Sequence, residues 1–378
     1  MIYLDSAATS FQKPHSVETA MTQALREMSS PGRGGYPAAV KAADTALECR
    51  SEVQELFHVE TPEQVVFTMN ATHGLNLAIK SLVPPGGHAV ISGYEHNAVT
   101  RPLAALGAEI TVAEIPLFQP EKAPGAFAAA ITPETDAVIC NHVSNVFGFA
   151  QPMEQIAAVC RERNVPLIVD ASQSGGILPL DLQNLGAAFI AMPGHKGLYG
   201  PQGTGILVCG KDVETKTLLE GGTGSLSRDQ QMPDFLPDRL EAGTHNMPGI
   251  AGLLAGIRFV RSQGMAQICL EERKLAALAA EGLRTIPQIQ VFAKNDLFAQ
   301  TGVLSFVCKK MDAERVGEEL GKRGIAVRTG LHCAPLAHKS AGTLETGTIR
   351  ASFSAFNTKN EIIQFVETTA QIVSGNIE

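Results

Sequence analysis

What most constrains this chain is an alternation. Over its first two-thirds, short apolar runs take turns with segments of helical period. "QVVFTMN" precedes "ATHGLNLAIKSLV", "HAVISGYEH" precedes "NAVTRPLAALG", and "DAVICNHVSN" precedes "PMEQIAAVCRERN". "VPLIVDAS" and "AAFIAMPG" add two more short, buried-looking strands. Strands joined through helices return to the sheet in parallel, and a parallel sheet needs cover on both faces. The pattern predicts an α/β fold: a large domain with a mostly parallel sheet flanked by helices.

From about Ile250 the pattern changes. Two long helical stretches, "IAGLLAGIRFVRSQG" and "ERKLAALAAEGLRTI", are followed by separate strands, "GVLSFVC" and "TIRASFSAF", and a last helix. This predicts a smaller α+β domain. The expected division is 1–255 and 256–378, with a helix bridging it and the N-terminal segment packing on the small domain. A chain of 378 residues is too long for one ordinary core, which also argues for two domains. With 44% apolar and 18% charged residues the composition is that of a soluble globular protein. The net charge of −8 argues against nucleic acid and gives no pull towards anionic membranes. There is no long apolar run and no signal-like N-terminus. Seven cysteines without a C-x-x-C pair make a disulfide framework or a metal site unexpected, which fits a reducing cytoplasm.

The chemistry-bearing residues sit at strand ends, where open α/β sheets build their sites. "PGHKGLYGPQGTG" puts Lys196 in a glycine-rich turn that no helix would accept. "LIVDASQS" ends a strand on Asp170. "MNATHG" opens a helix at Ala71 and Thr72, whose free N–H groups would cradle a phosphate. "YEHNA" ends another strand with His96, which taken alone would be an ordinary structural histidine. Together, a lysine for covalent attachment, a carboxylate for a pyridine nitrogen, a phosphate cup and a flat ring are what pyridoxal phosphate (PLP) requires. A dinucleotide site is the alternative, but no G-x-G-x-x-G follows a first strand.

The motifs "VDASQS", "EAGTHN" and "RTGLHC" stand in order between "YLDSAATSFQKP" and "TIRASFSAFNT". In these the chain resembles the PLP-dependent class V aminotransferase family of fold type I. Within it, the chain is most similar to group II cysteine desulfurases and selenocysteine lyases. The resemblance implies a role for each matching residue. Lys196 would bind the cofactor covalently and move protons. Asp170 would pair with the ring nitrogen, and Gln173 and Asn145 would approach the ring hydroxyl. His96 would stack on the ring and, as a catalytic residue, handle the substrate proton. Thr72, beside Ala71, and His195 would hold the phosphate, and Thr244 would reach the phosphate of a neighbouring subunit in a homodimer. Arg350 would clamp the substrate carboxylate, a task that suits a planar guanidinium, with Arg328, Asn145 and Ala8 nearby.

The resemblance also puts Cys333 where group II desulfurases carry their sulfur-accepting thiol. Arg328 and His332 lie close by in sequence, and positive charge there would favour the thiolate. The other six cysteines, Cys49, Cys140, Cys160, Cys209, Cys269 and Cys308, read as small buried hydrophobes. The implied reaction takes sulfur from L-cysteine, or selenium from L-selenocysteine, and releases alanine; the alternatives are a dedicated selenocysteine lyase or another class V PLP enzyme, an aminotransferase, epimerase or β-lyase. The sulfur would pass to an acceptor protein, a mobilisation of the kind that serves iron–sulfur cluster assembly. The chain departs from the usual pattern at two places. Pro193 stands where many relatives have a serine, and the lysine loop "HKGLYGP" is one residue longer.

Overall fold

The computed structural model describes residues 1–32, 34–294 and 299–375. The first part of the chain runs β1 (Ile2–Tyr3), α1 (His15–Glu27), α2 (Pro37–Phe57), β2 (Val65–Thr68), α3 (Ala71–Leu82), β3 (His88–Ser92), α4 (Asn97–Ala105) and β4 (Glu109–Ala113). It continues through α5 (Ala123–Ala130), β5 (Thr135–Asn141), α6 (Met153–Glu162), β6 (Leu167–Asp170), α7 (Leu182–Leu185), β7 (Phe189–Pro193) and β8 (Gly205–Cys209). Then come α8 (Met247–Gln263), α9 (Met265–Arg284), β9 (Ile289–Phe292), β10 (Val303–Cys308) and α10 (Ala313–Lys322). The last elements are β11 (Ile325–Ala326), β12 (Arg328–Gly330), α11 (Pro335–Ala341), β13 (Thr348–Ser352) and α12 (Lys359–Ser374).

The main sheet has seven strands in the order β2-β8-β7-β6-β5-β3-β4. Pairings from β4 through β3, β5 and β6 to β7 are parallel, and only β8 runs against its neighbours β7 and β2. Every residue of β3, β6, β7 and β8 is buried, as a sheet covered on both faces requires. The parallel strands share one C-terminal edge. Asn70, His96, Asn145, Asp170 and Lys196 all follow or end strands of this sheet.

A four-stranded antiparallel sheet, β12-β13-β10-β9, supports a second hydrophobic core. The start of the chain joins it: β1 pairs in parallel with β11, and Ile2 and Leu4 belong to that core. Helix α8 crosses residue 255 and sets Ile250, Leu253, Leu254 and Ile257 into the first core, against α1 and α2. Leu275 and Ala276 of α9 already belong to the second core. The two cores therefore meet along the α8–α9 pair, and the C-terminal edge of the main sheet faces β13.

Candidate active site

Lys196 follows β7 in the turn that leads to β8. The turn is tight because its glycines pack against backbone and the short Thr204 side chain. A Cβ at Gly197 would lie 2.5 Å from the Gly175 carbonyl, and one at Gly194 would lie 2.2 Å from the Thr204 hydroxyl. Glycine is required at both. Burial pushes Lys196 down to about 8, and Asp170 pulls in the opposite direction.

Lys196 opens onto a cleft of about 110 Å³ together with Asp170, His96, Asn145 and Gln173. Ala71, Thr72, His195 and Pro193 also line it. Asp170 is buried at the end of β6, and its Oδ1 accepts the Ser172 N–H at 2.8 Å. His96 caps α4: its Nδ1 accepts the Ala98 N–H at 3.0 Å. Burial lowers His96, so the ring is neutral and carries its proton on Nε2. Gln173 donates to the Ala7 carbonyl at 2.9 Å, which brings the segment around Ala8 beside the cleft. At the opening of α3, the Asn70 side chain accepts only the His73 N–H, at 2.9 Å. The N–H groups of Ala71 and Thr72 have no helical partners by geometry. His195 Nδ1 pairs with the Thr9 hydroxyl at 3.0 Å, and burial first, then Lys196 and Lys13, push it down to about 4.

Two hydrogen bonds tie the cysteine loop to this cleft. The Cys333 carbonyl accepts the Asn97 N–H at 2.7 Å, and the His332 carbonyl accepts from Asn145 Nδ2 at 2.8 Å. His332 and Cys333 both adopt left-handed φ, 50° and 56°. Two such residues in succession are costly unless held, and these carbonyl contacts hold them. Cys333 is exposed, Cys308 is intermediate, and the other five cysteines are buried.

The expected positive charge on His332 needs correction. His332 is buried, its Nε2 pairs with the Thr348 hydroxyl at 3.1 Å, and burial keeps the ring neutral. It cannot supply the cation that sequence proximity suggested.

Arg350, in β13, is buried and already engaged. Nη2 donates to Asp5 Oδ1 at 2.7 Å and Nη1 to the Asn145 carbonyl at 2.9 Å. Its Nε and the Asn145 Oδ1 are buried with no hydrogen-bond partner among the described residues. Arg328 lies directly across the ladder from Arg350 and is exposed. Thr244 is not in the lysine cleft. It is exposed beside a separate cleft with His73 and Gly203, on the other side of the β2–α3 turn.

Sequence reasoning missed several neighbours. Glu95 is fully buried between Ser92, whose hydroxyl donates to it at 2.5 Å, and the Asn141 N–H at 2.8 Å. Asn70 and Ser172 also line the cleft. Each lies inside a quoted motif, so position next to Asp170, His96 or Ala71 was the available signal.

A buried amine, a carboxylate, a neutral imidazole and a helix N-terminus at the C-terminal edge of a parallel sheet define an α/β enzyme centred on a lysine. The chain belongs to the class-V aminotransferase family, which it matches over residues 2–365. It is 33% identical to a probable cysteine desulfurase of Methanothermobacter thermautotrophicus, over 98% of this chain and 94% of that protein. Among solved structures it is similar to the apo cysteine desulfurase from Thermococcus onnurineus, with a TM-score of 0.90, 30% identity, and 99% and 95% of the two chains covered. It is also similar to an S-sulfonic acid form of an Escherichia coli cysteine desulfurase, with a TM-score of 0.86, 27% identity, and 98% and 94% covered.

Proposed function

We propose that this chain is a PLP-dependent cysteine desulfurase, which takes sulfur from L-cysteine, releases L-alanine and keeps the sulfur as a persulfide on Cys333. L-Selenocysteine would be a second substrate. The observation that carries this reading is the docking of an exposed cysteine beside the lysine cleft, through Asn97 and Asn145. An aminotransferase has no use for such a thiol.

The residues present fit the cofactor. The α3 N-terminus at Ala71 and Thr72, with His195, would take its phosphate. The Asp170 oxygen not used by Ser172 would face the ring nitrogen. Gln173 and the unpartnered Asn145 Oδ1 would stand near the ring hydroxyl, and His96 would lie against the ring. When bound, PLP would draw negative charge away from the substrate Cα and weaken the bond from Cβ to sulfur.

The protein's own groups would do the rest. Lys196, as the neutral amine, takes the Cα proton. Arg350 clamps the substrate carboxylate by exchanging a present contact or by using its free Nε, with Arg328 and Ala8 nearby. The Cys333 thiolate attacks the substrate sulfur: an S–S bond forms, the C–S bond breaks, and its electron pair goes to Cβ. A proton delivered to Cβ and the return of a proton from Lys196 to Cα complete alanine.

We place Thr244 against the phosphate of a second copy, which makes the working unit a homodimer of subunits divided as 1–255 and 256–378. The persulfide would pass to a sulfur-acceptor protein in the cytoplasm. Among the described residues no helix is long and apolar enough to cross a membrane. Incubation with L-cysteine tests the reading: alanine and a Cys333 persulfide should appear in equal amounts in the first turnover. Pyruvate, or alanine without sulfur on the protein, would overturn it.

A further inference from the structure

Lys196 also borders a second cavity, of about 40 Å³. Its wall includes Lys196, Ser6, Ser10, Tyr199, Glu272 and Ser352. One water needs about 10–15 Å³ of such space and two to four polar partners, so this cavity suits a few waters. The Ser6 hydroxyl is buried without a hydrogen-bond partner among the described residues, so the wall holds a polar group that the protein itself does not satisfy.

Glu272 stands on the wall of this cavity. It lies on the apolar face of α9, in line with Ile268, Leu275 and Ala279. Tyr199 is its polar neighbour, and the Tyr199 hydroxyl in turn accepts the Ala355 N–H at 3.0 Å. Tyr199 belongs to the long lysine loop. Its φ is 55°, and its N–H donates to the Lys196 carbonyl at 2.9 Å. The loop thus ties the position of Lys196 to that of Glu272.

We propose that Glu272 is a proton store for Lys196, joined to it by water in this cavity. The proposal rests on the desulfurase reading above. That reaction needs Lys196 to take one proton and deliver another. The exchange balances without a further reagent: the Glu272 carboxylic acid gives its proton to the neutral lysine and becomes a carboxylate, and the reverse step restores both. Both residues line one water-sized space, and burial shifts both towards the neutral form. It raises Glu272 and lowers Lys196, which narrows the gap that a proton moving between them must cross.

The test uses the holoenzyme and two variants, Glu272→Gln and Ser6→Val. Infrared difference spectra of the resting enzyme, parent minus Glu272→Gln, should contain a buried carboxylic-acid band beyond that of Glu95, and parent minus Ser6→Val should contain none. Both variants should keep the cofactor and the parent KM, while kcat for alanine release falls about tenfold or more. Parent kcat in Glu272→Gln, a rise in KM alone, or a parent-minus-Glu272→Gln spectrum without a carboxylic-acid band would each overturn the proposal. Failure of the desulfurase reading is separate: the parent enzyme would then release no alanine, whatever the infrared band does.

Discussion

Replacing Glu241 by Ala should cost this protein about 4 kcal/mol of stability. Glu241 opens "EAGTHN", the segment that presents Thr244. Its carboxylate takes Arg50 Nη1 at 2.8 Å and Nη2 at 2.6 Å, both side chains being buried. It also accepts the Phe67 N–H at 2.5 Å, and His245 Nε2 lies 3.2 Å away. Removing one partner of a buried pair costs about 3–5 kcal/mol, because the other charge is left uncompensated. An orphaned Phe67 N–H adds about 1–3 kcal/mol. Arg50 keeps the Val65 carbonyl and the face of the Phe67 ring, 4.2 Å from its guanidinium carbon, which returns part of that loss. The chain has no tryptophan, so urea unfolding is best followed by far-UV circular dichroism. The midpoint should fall with an unchanged slope. The double variant Arg50→Met/Glu241→Leu should recover most of the loss, since apolar replacement of a buried pair is often neutral. A single-variant loss below about 1 kcal/mol would refute the claim that this pair holds the segment.

Lys196→Ala should remove the visible absorbance of bound PLP and all turnover; an unchanged visible spectrum would place the covalent link elsewhere. Thr244→Val should weaken cofactor retention in a particle that light scattering finds dimeric, and a fully active monomer would contradict a shared site. Glu95 gives a pH prediction. Burial pushes it from 4.5 up to about 8, so between those values the folded state binds more protons than the unfolded state. Its contribution is then fully present below about 4.5 and is lost as pH rises through about 8. Glu95→Gln should flatten that decline in a pH series of urea midpoints, and an unchanged slope would mean that Glu95 is ionised in the folded protein.

The main sheet was legible because its central strands are continuous apolar runs between helical segments, as in "VPLIVDAS". The edge strand β4 was not, since Glu109 is exposed and the run is only partly buried. The N-terminal segment was expected on the small domain, but not the strand pairing that β1 makes there with β11: it joins residues more than three hundred positions apart, and two-residue strands carry no periodic signal. Lys196, Asp170, His96 and Ala71 could be found because each ends a strand or opens a helix. Glu272 could have been found as well: Ile268, Cys269, Leu275 and Ala276 surround it at helical spacing, so it falls on the buried stripe of α9. Arg50 sits in the same way among Ala42, Ala46, Val53 and Phe57 of α2. The neutral state of His332 was not legible, because it depends on burial against β13 rather than on its sequence neighbours.

The most direct test of the account is the rate of alanine release by Cys333→Ala from L-cysteine and from L-selenocysteine, measured side by side. Cysteine needs a thiolate to accept its sulfur, whereas selenium leaves more readily and needs only a proton donor. The account predicts a loss of about a thousandfold with cysteine, or roughly 4 kcal/mol of barrier, and much of the parent rate with selenocysteine. Parent-rate desulfuration of cysteine by this variant would contradict the account and leave Cys333 a structural residue.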